Sequence, residues 1–448
     1  MPYITDPKNL PPVESIEFAQ TPKAAILRPT THFEIVTADN PDMIRTLKRQ
    51  QQFIDEGLSN LPDHTSDEDR LKKKTSLIRQ FQQPISIQAY KEQLALIAIL
   101  KREGIPIRKI TEDKASLANN EFDYYTDQVF ATDAGQYYDK EGSLHFIASS
   151  FKNAQRRNEE HLAVAQAENL GATIQILKSK TGSPLTFEGG DIRQMVSRKL
   201  FFIGQGHRSD PEAGQQISEI SGYTVVPITL LQEQFYHLDC CFLPLPFDAA
   251  VIYEGEYEND DNGQHILDSQ GWPRIHPGTE TMAAESRALI RTLYPPKNLV
   301  LLSKLEALAF ATNAVILQNP KNERFKMFVN GAALQSSETT ALSAHQISYT
   351  QAHKDQIMAV TKGGIDIIET AYSTMHGSGG SVRCTVLELA CSTDALTPDK
   401  GQPFYFSQCL DKLEKRLMQQ QKEKRKLAFF QEKQETIRPE NSTTPVAP

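Results

Sequence analysis

The sequence predicts an α/β protein. From about residue 105 to residue 390, short apolar runs typical of strands alternate with helical patterns, and one helix separates each group of strands from the next. This alternation also indicates internal pseudo-repeats. Of the 448 residues, 39% are hydrophobic and 23% are charged, which excludes collagen-like, purely coiled-coil and wholly disordered proteins and allows a sizeable core.

The elements follow in chain order. Residues 22–41 predict a first strand that ends at a proline-containing bend. Residues 43–85 are polar, with apolar side chains at irregular helical spacing, and predict a helix–loop–helix insertion. The second of these helices continues through 86–103 and ends at Gly104, a typical C-terminal glycine. The α/β pattern then continues: 129–130, 144–148, 173–177 and 384–389 are predicted strands, 154–170 is a predicted helix, and the alternation recurs at 200–204, 214–220, 224–228, 241–245, 251–253, 282–293, 300–302 and 314–317.

Changes in composition divide the chain into one main unit and a tail. Residues 1–392 are expected to form a single domain that contains the helical insertion at about 43–85 and an acidic, glycine-containing loop insertion at about 255–281. Residues 393–448 form a charged tail, with a helix expected over 411–433 and a final stretch of disordered composition.

Charge and patterning exclude several classes of function. The 56 acidic residues outnumber the 48 basic ones and leave a net charge of −8, so neither nucleic acid nor a membrane is an expected partner. The apolar run 94–100 is too short to cross a bilayer and the start lacks a signal pattern, so we expect a cytoplasmic protein. Five cysteines without a CxxC pair predict no disulfide framework, no metal and no cofactor.

Two acidic segments are candidates for chemistry. Asp127 and Asp133 flank an apolar stretch and could both reach one pocket, although acids at strand ends often only cap turns. Glu188 follows Phe187 and precedes two glycines and Asp191. Glycines allow a close approach of the backbone to a ligand, but a plain hairpin turn explains them equally well.

Two further segments contain an imidazole and a thiol. His237 and Asp239, two residues apart on a predicted strand, would share one face, as a general base beside an anion requires, whereas an isolated histidine is often structural. Cys384 follows a glycine-rich stretch and Arg383, whose amides and charge could activate the thiol. The alternative is a small buried cysteine, which is our expectation for Cys240 and Cys241.

The four segments together suggest a chemical hypothesis. Paired carboxylates can bind the planar guanidinium group through its N–H donors and leave its central carbon open to a thiolate. The sequence therefore predicts a small-molecule guanidino substrate that Cys384 attacks and that loses an amine.

In this order the four segments resemble the guanidino-group-modifying superfamily of arginine deiminase, dimethylarginine dimethylaminohydrolase, arginine dihydrolases and amidinotransferases. Residues 28–34 with Asn40 and Pro41 resemble the opening strand of that superfamily, 151–159 its Phe-x-x-x-x-Arg-Arg-x-Glu segment, and 310–315 its penultimate repeat. The resemblance covers about 22–391, apart from the two insertions.

The resemblance implies a five-bladed pseudosymmetric α/β propeller (pentein) of ββαβ-type repeats. It also implies site roles: Cys384 as nucleophile, His237 as general acid/base, and Glu188 as the carboxylate that holds the guanidinium. The expected substrate-binding residues are Asp127, Asp133, Asp239, Arg156 and Arg208, the two arginines at the amino-acid end of the substrate.

The resemblance leaves the reaction open among relatives. Asp239 in His-Leu-Asp favours an unmethylated guanidinium, because dimethylarginine hydrolases typically have Lys there, and Asp133 replaces the Asn typical of dihydrolases, which favours a single hydrolysis. The prediction is therefore a deiminase-type hydrolase. Alternatives are an amidinotransferase, a dihydrolase, a dimethylarginine hydrolase, and a weakly catalytic scaffold whose tail binds a protein partner.

Overall fold

A computed structural model describes residues 2–28, 41–62, 64–111, 127–157, 159–331, 351–377, 379–390 and 404–405. The strands are β1 (Ala24–Leu27), β2 (Ile107–Thr111), β3 (Gly135–Lys140), β4 (Ser143–Ala148), β5 (Thr173–Ile176), β6 (Ile192–Gln194), β7 (Leu200–Gln205), β8 (Thr224–Thr229), β9 (Phe242–Leu245), β10 (Ala249–Ile252), β11 (Leu299–Leu301), β12 (Val315–Gln318), β13 (Phe325–Asn330), β14 (Ile365–Thr370), β15 (Leu387–Leu389) and β16 (Phe404–Tyr405). The α-helices are Pro41–Ser59, Asp67–Arg102, Glu159–Asn169, Pro211–Ser221, Ala284–Leu293, Lys304–Leu308, Gln351–Val360, Ser373–Gly377 and Val382–Thr385.

One strand pattern occurs five times in the described residues. A first strand pairs antiparallel with a second, and the second pairs parallel with a third. The five sets, in the order first, second, third strand, are β3-β4-β5, β6-β7-β8, β9-β10-β11, β12-β13-β14 and β15-β1-β2. The last set joins the two ends of the chain, and β16 adds to its edge beside β2. The prediction of an α/β fold is confirmed, and its repeats are these five small sheets.

Helices lie between the parallel strands because a parallel connection must cross back over the sheet. The helix Pro211–Ser221 connects β7 to β8 and ends at Gly222, whose φ of 73° is the left-handed conformation that closes a helix. Tyr223 follows it and stacks on Phe201 of β7, with ring centroids 4.6 Å apart. Burial of each such aromatic side chain contributes about 1.5–3 kcal/mol to folding.

The first insertion is a pair of packed helices. Ser66 caps the helix Asp67–Arg102, which continues through Pro84 and ends before Gly104, where φ is 74°. The apolar side chains of its second half are buried against the sheets: Ala89, Leu96, Ile97 and Leu100. The predicted helix–loop–helix, the continuation of its second helix through 86–103 and its end at Gly104 are confirmed.

The second insertion, at residues 255–281, is a folded loop of tight turns. Isolated bridges join Tyr257 to Ile275 and Leu267 to Pro273. Its base is held by Arg291, which binds Glu254 through two nitrogens at 3.0 and 2.8 Å and lies 4.8 Å from the ring centroid of Trp272. None of the helices in the described ranges is both long and apolar enough to cross a membrane.

Three predicted strands are wrong at the residues that matter for chemistry. Residues 129–130 belong to a turn before a 3-10 helix, Ala131–Ala134. His237 precedes another 3-10 helix, Leu238–Cys240, so the argument that His237 and Asp239 share a strand face does not apply. Cys384 lies in the helical turn Val382–Thr385, and the strand begins only at Leu387. The tail helix predicted over 411–433 lies outside the described residues.

Candidate active site

The chemically active side chains share one position in the repeat. Each lies in the short turn that directly precedes the first strand of a sheet. Asp133 precedes β3, Glu188 precedes β6, His237 and Asp239 precede β9, and Cys384 precedes β15. The corresponding turn before β12 contains Thr312 and Asn313. The fold thus presents the same end of five first strands, and their turns, as the location of the candidate site.

These five turns contact one another in sequence. Glu188 and Asp191 bind the next turn, since His237 pairs with Glu188 and the Leu238 N–H donates to Asp191 at 3.2 Å. Thr312 Oγ1 then donates to the Asp239 carbonyl at 2.9 Å. Three further contacts complete the series. The Cys384 N–H donates to Asn313 Oδ1 at 3.2 Å, Thr132 Oγ1 donates to the Arg383 carbonyl at 2.6 Å, and the turn of Thr132 contacts the turn of Gly189.

The glycines after Glu188 are required by these close approaches. A Cβ atom on Gly190 would lie 2.4 Å from His237 Nδ1, and one on Gly189 would lie 2.0 Å from the Thr132 carbonyl oxygen. Any larger residue would displace the imidazole or a neighbouring turn. The glycine pair predicted to allow close approach to a ligand therefore allows close approach to the imidazole of His237.

Glu188 and His237 form a buried, charged pair. His237 Nε2 lies 2.9 Å from Glu188 Oε2, and neither side chain is more than 3% exposed. Burial alone lowers the pKa of His237, but the negative charge of Asp133 and the hydrogen bond to Glu188 outweigh it and raise this pKa to about 9. His237 is therefore an imidazolium at neutral pH and can donate a proton.

Glu188 has further partners in the protein. Its Oε2 accepts from Arg208 Nη1 at 3.1 Å, and its Oε1 accepts from the Lys152 backbone N–H at 3.1 Å. Burial alone raises the pKa of Glu188, but the hydrogen bond with His237 and the positive charge of Arg208 lower it to about 2. Glu188 thus stays ionised and orients His237, and both of its oxygens have protein donors. Direct binding of the guanidinium by Glu188 stays a prediction.

Arg156 is surrounded by acceptors of the protein itself. Its Nη1 donates to Asp133 Oδ2 at 2.6 Å, and its Nη2 donates to Glu159 Oε2 at 2.8 Å and to the Asp127 carbonyl at 3.2 Å. The Asp127 carboxylate is 4.0 Å from Arg156 Nε. In this arrangement Arg156 holds Asp133 in place. Contact of Arg156 or Asp127 with a substrate stays a prediction.

Arg208 connects the charged pair to an aromatic side chain. Its guanidinium carbon lies 4.5 Å from the ring centroid of Tyr236, a cation–π distance, while Nη1 binds Glu188. The Tyr236 hydroxyl donates to the Gly379 carbonyl at 2.9 Å, in the glycine-rich stretch before Cys384. A contact of Arg208 with the amino-acid end of a substrate stays a prediction.

Cys384 is buried and lies among negative charges. Burial, together with the charges of Asp239 and Asp133, raises the pKa of the Cys384 thiol well above its usual range. Burial also raises the pKa of Asp239. Among the described residues, Asp133 Oδ1 and Asp239 Oδ2 are buried carboxylate oxygens without a hydrogen-bond partner. Such oxygens are costly unless a donor arrives, so they mark a place for a cation.

Two residues of the site were not predicted from the sequence. Asn313 Nδ2 lies 3.1 Å from Cys384 Sγ, and Asp191 accepts from Ser209 Oγ at 2.7 Å and from the Leu238 N–H. Burial raises the pKa of Asp191 to about 7. The sequence marks these two residues only weakly. Asp191 follows the two glycines after Glu188, and Asn313 lies in the segment 310–315, which resembles a family repeat.

No metal centre is part of this arrangement. Within the ranges that the structure describes, no group of three or more His, Cys, Asp and Glu side chains could hold a metal ion. The groups assembled at the site are a thiol, an imidazolium and carboxylates, two of which have free oxygens. Chemically they can bind a cation, attack it through sulfur and protonate a leaving group.

The predicted resemblance to the guanidino-group-modifying superfamily is confirmed by comparison with known proteins. A sequence profile described as "N,N dimethylarginine dimethylhydrolase, eukaryotic" matches residues 60–391, well over half of the chain. The chain belongs to this family. Family membership, together with the named relatives below, supports a hydrolase of the guanidino-modifying class.

The chain is also similar to individual proteins. It is 24% identical over 301 residues to an uncharacterized Caenorhabditis elegans protein, a match that covers 67% of this chain and 83% of the relative. It is 24% identical over 276 residues to the bifunctional arginine dihydrolase/ornithine cyclodeaminase ArgZ of Synechocystis, covering 61% of this chain. That match covers only 30% of ArgZ, so the chain corresponds to a minor part of the bifunctional relative.

A solved structure shows the same fold. The N-terminal domain of ArgZ, an arginine dihydrolase of the ornithine–ammonia cycle in cyanobacteria, has been crystallised with its product. It aligns with a TM-score of 0.53 at 20% identity and covers 82% of this chain and 97% of that domain. At this identity the likeness concerns the fold.

Proposed function

We propose that this protein is a cysteine-dependent hydrolase that removes ammonia from the guanidinium group of arginine or a close relative and releases a ureido product. The observation that carries the proposal is a pair of buried carboxylate oxygens that accept no hydrogen bond from the described residues, Asp133 Oδ1 and Asp239 Oδ2; the first lies 3.8 Å from His237 Nδ1. They belong to two different turns, and both carboxylates lie close enough to Cys384 to raise the pKa of its thiol. A guanidinium between them would supply the missing N–H donors beside the nucleophile.

The reaction begins with binding of the cation. A positive charge next to Cys384 opposes the effect of Asp133 and Asp239, so binding lowers the pKa of the thiol and favours the thiolate. The Sγ atom then forms a bond to the central guanidinium carbon. His237, an imidazolium at neutral pH, protonates one terminal nitrogen, and the bond from carbon to that nitrogen breaks to release ammonia.

Hydrolysis completes the cycle. The intermediate is an S-alkylthiouronium in which Cys384 holds the amidino carbon, and His237 is now neutral. Neutral His237 takes one proton from a water molecule, the oxygen adds to the same carbon, and the C–S bond breaks to give back the Cys384 thiolate. The second proton of the water passes to solvent, where the released ammonia takes it up as ammonium. The ureido product leaves, and His237 is again an imidazolium. Glu188 holds the ring through Nε2 in both steps.

A second candidate reaction is release of dimethylamine from dimethylarginine, which the family match favours. The two unpaired oxygens favour an unmethylated substrate instead, because a dimethylated terminal nitrogen has no N–H to donate. Transfer of the amidino group to an amine would use the same intermediate if water were excluded.

A substrate panel separates these reactions. The purified protein is incubated with arginine, monomethylarginine, dimethylarginine and agmatine, and products are followed by mass spectrometry. We expect a ureido product and one ammonia per substrate. Formation of ornithine and two ammonia molecules would instead indicate dihydrolysis, and release of dimethylamine would indicate dimethylarginine hydrolysis. Turnover that occurs only after glycine, lysine or ornithine is added would indicate amidino transfer.

Asp239→Asn is expected to weaken substrate binding more than it slows the chemical step. The amide keeps the shape but removes the negative charge that the guanidinium would meet, so KM should rise by about 10- to 100-fold. Steady-state kinetics on the substrate identified in the panel give KM and kcat separately. An unchanged KM would contradict a role of Asp239 in binding.

The same variant also tests the electrostatics without substrate. Loss of the Asp239 charge should lower the pKa of the Cys384 thiol, so its alkylation by iodoacetamide should begin at lower pH than in the unmodified protein. Peptide mass spectrometry identifies the alkylated cysteine. Asp248→Asn is the control: it removes a partly exposed carboxylate that pairs with the buried Arg198, and it should leave the pH dependence unchanged.

The proposal includes a closed arrangement of the five sheets. The five turns contact one another in order, and the turn of Cys384 contacts that of Thr132. This supports a five-bladed propeller with the site on its axis. Each blade would contribute one turn to the site. A crystal structure with bound substrate would test both the closure and the contacts of Asp133 and Asp239.

A further inference from the structure

Asn313 is buried beside the sulfur of Cys384. Its side chain makes two contacts with that residue: Oδ1 accepts the Cys384 backbone N–H at 3.2 Å, and Nδ2 lies 3.1 Å from Sγ. The Asn313 backbone carbonyl also accepts the Arg383 N–H at 3.2 Å. Asn313 is fully buried, so these contacts are shielded from water.

The backbone fixes the orientation of the amide. A backbone N–H can only donate, so the atom of Asn313 that faces Cys384 N must be the oxygen Oδ1. The NH2 group is therefore the one that faces sulfur. A neutral thiol can donate to Oδ1, which is 3.4 Å from Sγ, whereas a thiolate can accept from Nδ2. The amide thus has a partner for sulfur in both protonation states.

The position of Asn313 in the repeat supports a role in chemistry. Four of the five turns supply Asp133, Glu188, His237 with Asp239, and Cys384. The remaining turn, before β12, supplies Asn313, and its neighbour Thr312 binds the Asp239 carbonyl. This turn therefore contacts both the segment of the substrate-binding carboxylate and that of the nucleophile.

We propose that Asn313 is a further catalytic residue of this site: its Nδ2–H group donates to Cys384 Sγ and stabilises the thiolate that attacks the substrate. The inference rests on the proposed function for its meaning in turnover, but the interaction itself exists without substrate. A hydrogen bond to an ionised acceptor is stronger than one to a neutral group, so the donor favours the thiolate over the thiol.

Other groups near the sulfur oppose or modify this effect. The carboxylates of Asp239 and Asp133 favour the neutral thiol, whereas the backbone amide of Ser381 favours the thiolate. Tyr236, Cys240 and Tyr372 are titratable neighbours, and burial keeps all three protonated by raising the pKa of each. Arg383 binds Thr132 and the Val386 carbonyl. Asn313 is therefore the side-chain donor, among the described residues, whose contact with Sγ opposes the two carboxylates.

The test is the pH dependence of Cys384 alkylation in the full-length protein without substrate. Asn313→Ala removes the donor, and Asn313→Asp replaces it with an acceptor of the same shape. We expect the alkylation midpoint of Cys384 to rise by about one to two pH units in the alanine variant, and at least as far in the aspartate variant. Asn319→Asp is the matched control, because Asn319 is also buried but lies beyond the other end of β12, where it donates to the Glu103 carbonyl and accepts from the Lys321 N–H. Its midpoint should stay that of the unmodified protein.

Turnover provides a second readout. If Asn313 stabilises the thiolate, kcat of the variants should recover as the pH is raised, whereas a loss of packing alone would lower kcat equally at every pH. Unchanged alkylation midpoints in both Asn313 variants would overturn the inference, even if the substrate panel confirms hydrolysis. If no substrate in the panel were turned over, the proposed function would be wrong, whereas the alkylation result would still hold.

The unmodified protein gives an answer if neither variant folds. With 15N-labelled asparagine side chains, the NMR signals of one NH2 pair should shift as the pH is raised. The pH midpoint of this shift should equal that of Cys384 alkylation. The shift should disappear once Cys384 is alkylated. The absence of any such NH2 pair would overturn the inference.

Discussion

Cys384→Ala is expected to lower the rate of ureido product formation at least about 1,000-fold, because alanine cannot form the covalent intermediate proposed for Cys384. The substitution removes only the sulfur from a buried helical turn, so the fold should be retained. Turnover is followed by ammonia release and mass spectrometry. In the unmodified protein, acid quenching during turnover should reveal an added mass on the peptide that contains Cys384.

A neighbouring cysteine provides the control. Cys241 is also fully buried, but its Sγ contacts the Leu238 carbonyl at 3.7 Å and no group proposed for catalysis. Cys241→Ala should therefore keep most of the activity. Substantial turnover by Cys384→Ala, or by Cys384→Ser, would remove Cys384 from the mechanism.

Arg156→Met is expected to lower the free energy of unfolding by about 3–5 kcal/mol, the usual cost of a buried charge that loses its partner. Arg156 neutralises Asp133 and Glu159, whose side chains are 7% and 1% exposed. Methionine fills a similar volume but leaves Glu159 without its ion pair and Asp133 with only the more distant His237, whose Nδ1 lies 3.8 Å from Asp133 Oδ1. Chemical denaturation, followed by circular dichroism, measures the change.

The pH dependence distinguishes lost charge from lost packing. Burial raises the pKa of Glu159 and the charge of Arg156 lowers it, so without Arg156 this pKa should rise further in the folded state, and protonation of Glu159 as the pH falls relieves the repulsion. The destabilisation should therefore be smaller at pH 5 than at pH 8. Arg274→Met, at an exposed pair with Glu258, is the control and should have little effect. A pH-independent loss in Arg156→Met would indicate packing alone.

The candidate residues were predictable because their chemistry is visible in local sequence. Glycines beside Glu188, an unpaired cysteine at 384 and the short His237-Leu-Asp239 segment each narrow the options, and their order resembled a known superfamily. Asn313 lacked such a signal, because an asparagine after an alanine-rich stretch is ordinary in a loop. Only the approach of its amide to Sγ, 71 residues further along the chain, reveals a role.

Local structure around the catalytic residues was harder to predict than the sheets. His237 and Cys384 both precede apolar runs, and apolar runs predict strands, so the prediction extended each strand backwards over a turn. The turns form because contacts with other turns compete with strand pairing: Asp191 accepts the Leu238 N–H, and Asn313 accepts the Cys384 N–H. Those partners are distant in sequence, so the hydrophobic periodicity of each segment cannot predict them.

The sequence by itself determined the α/β class, the helical insertion and most of the residues that meet at the site, because periodicity, glycines and reactive side chains are local properties. The tertiary structure decided how those residues act. It showed Arg156 bound to the carboxylates of the protein itself, Glu188 bound to His237, and Asp133 and Asp239 with unpaired buried oxygens. Charge pairing and burial depend on which distant segments come together, and the five sheets bring their turns together only in the folded chain.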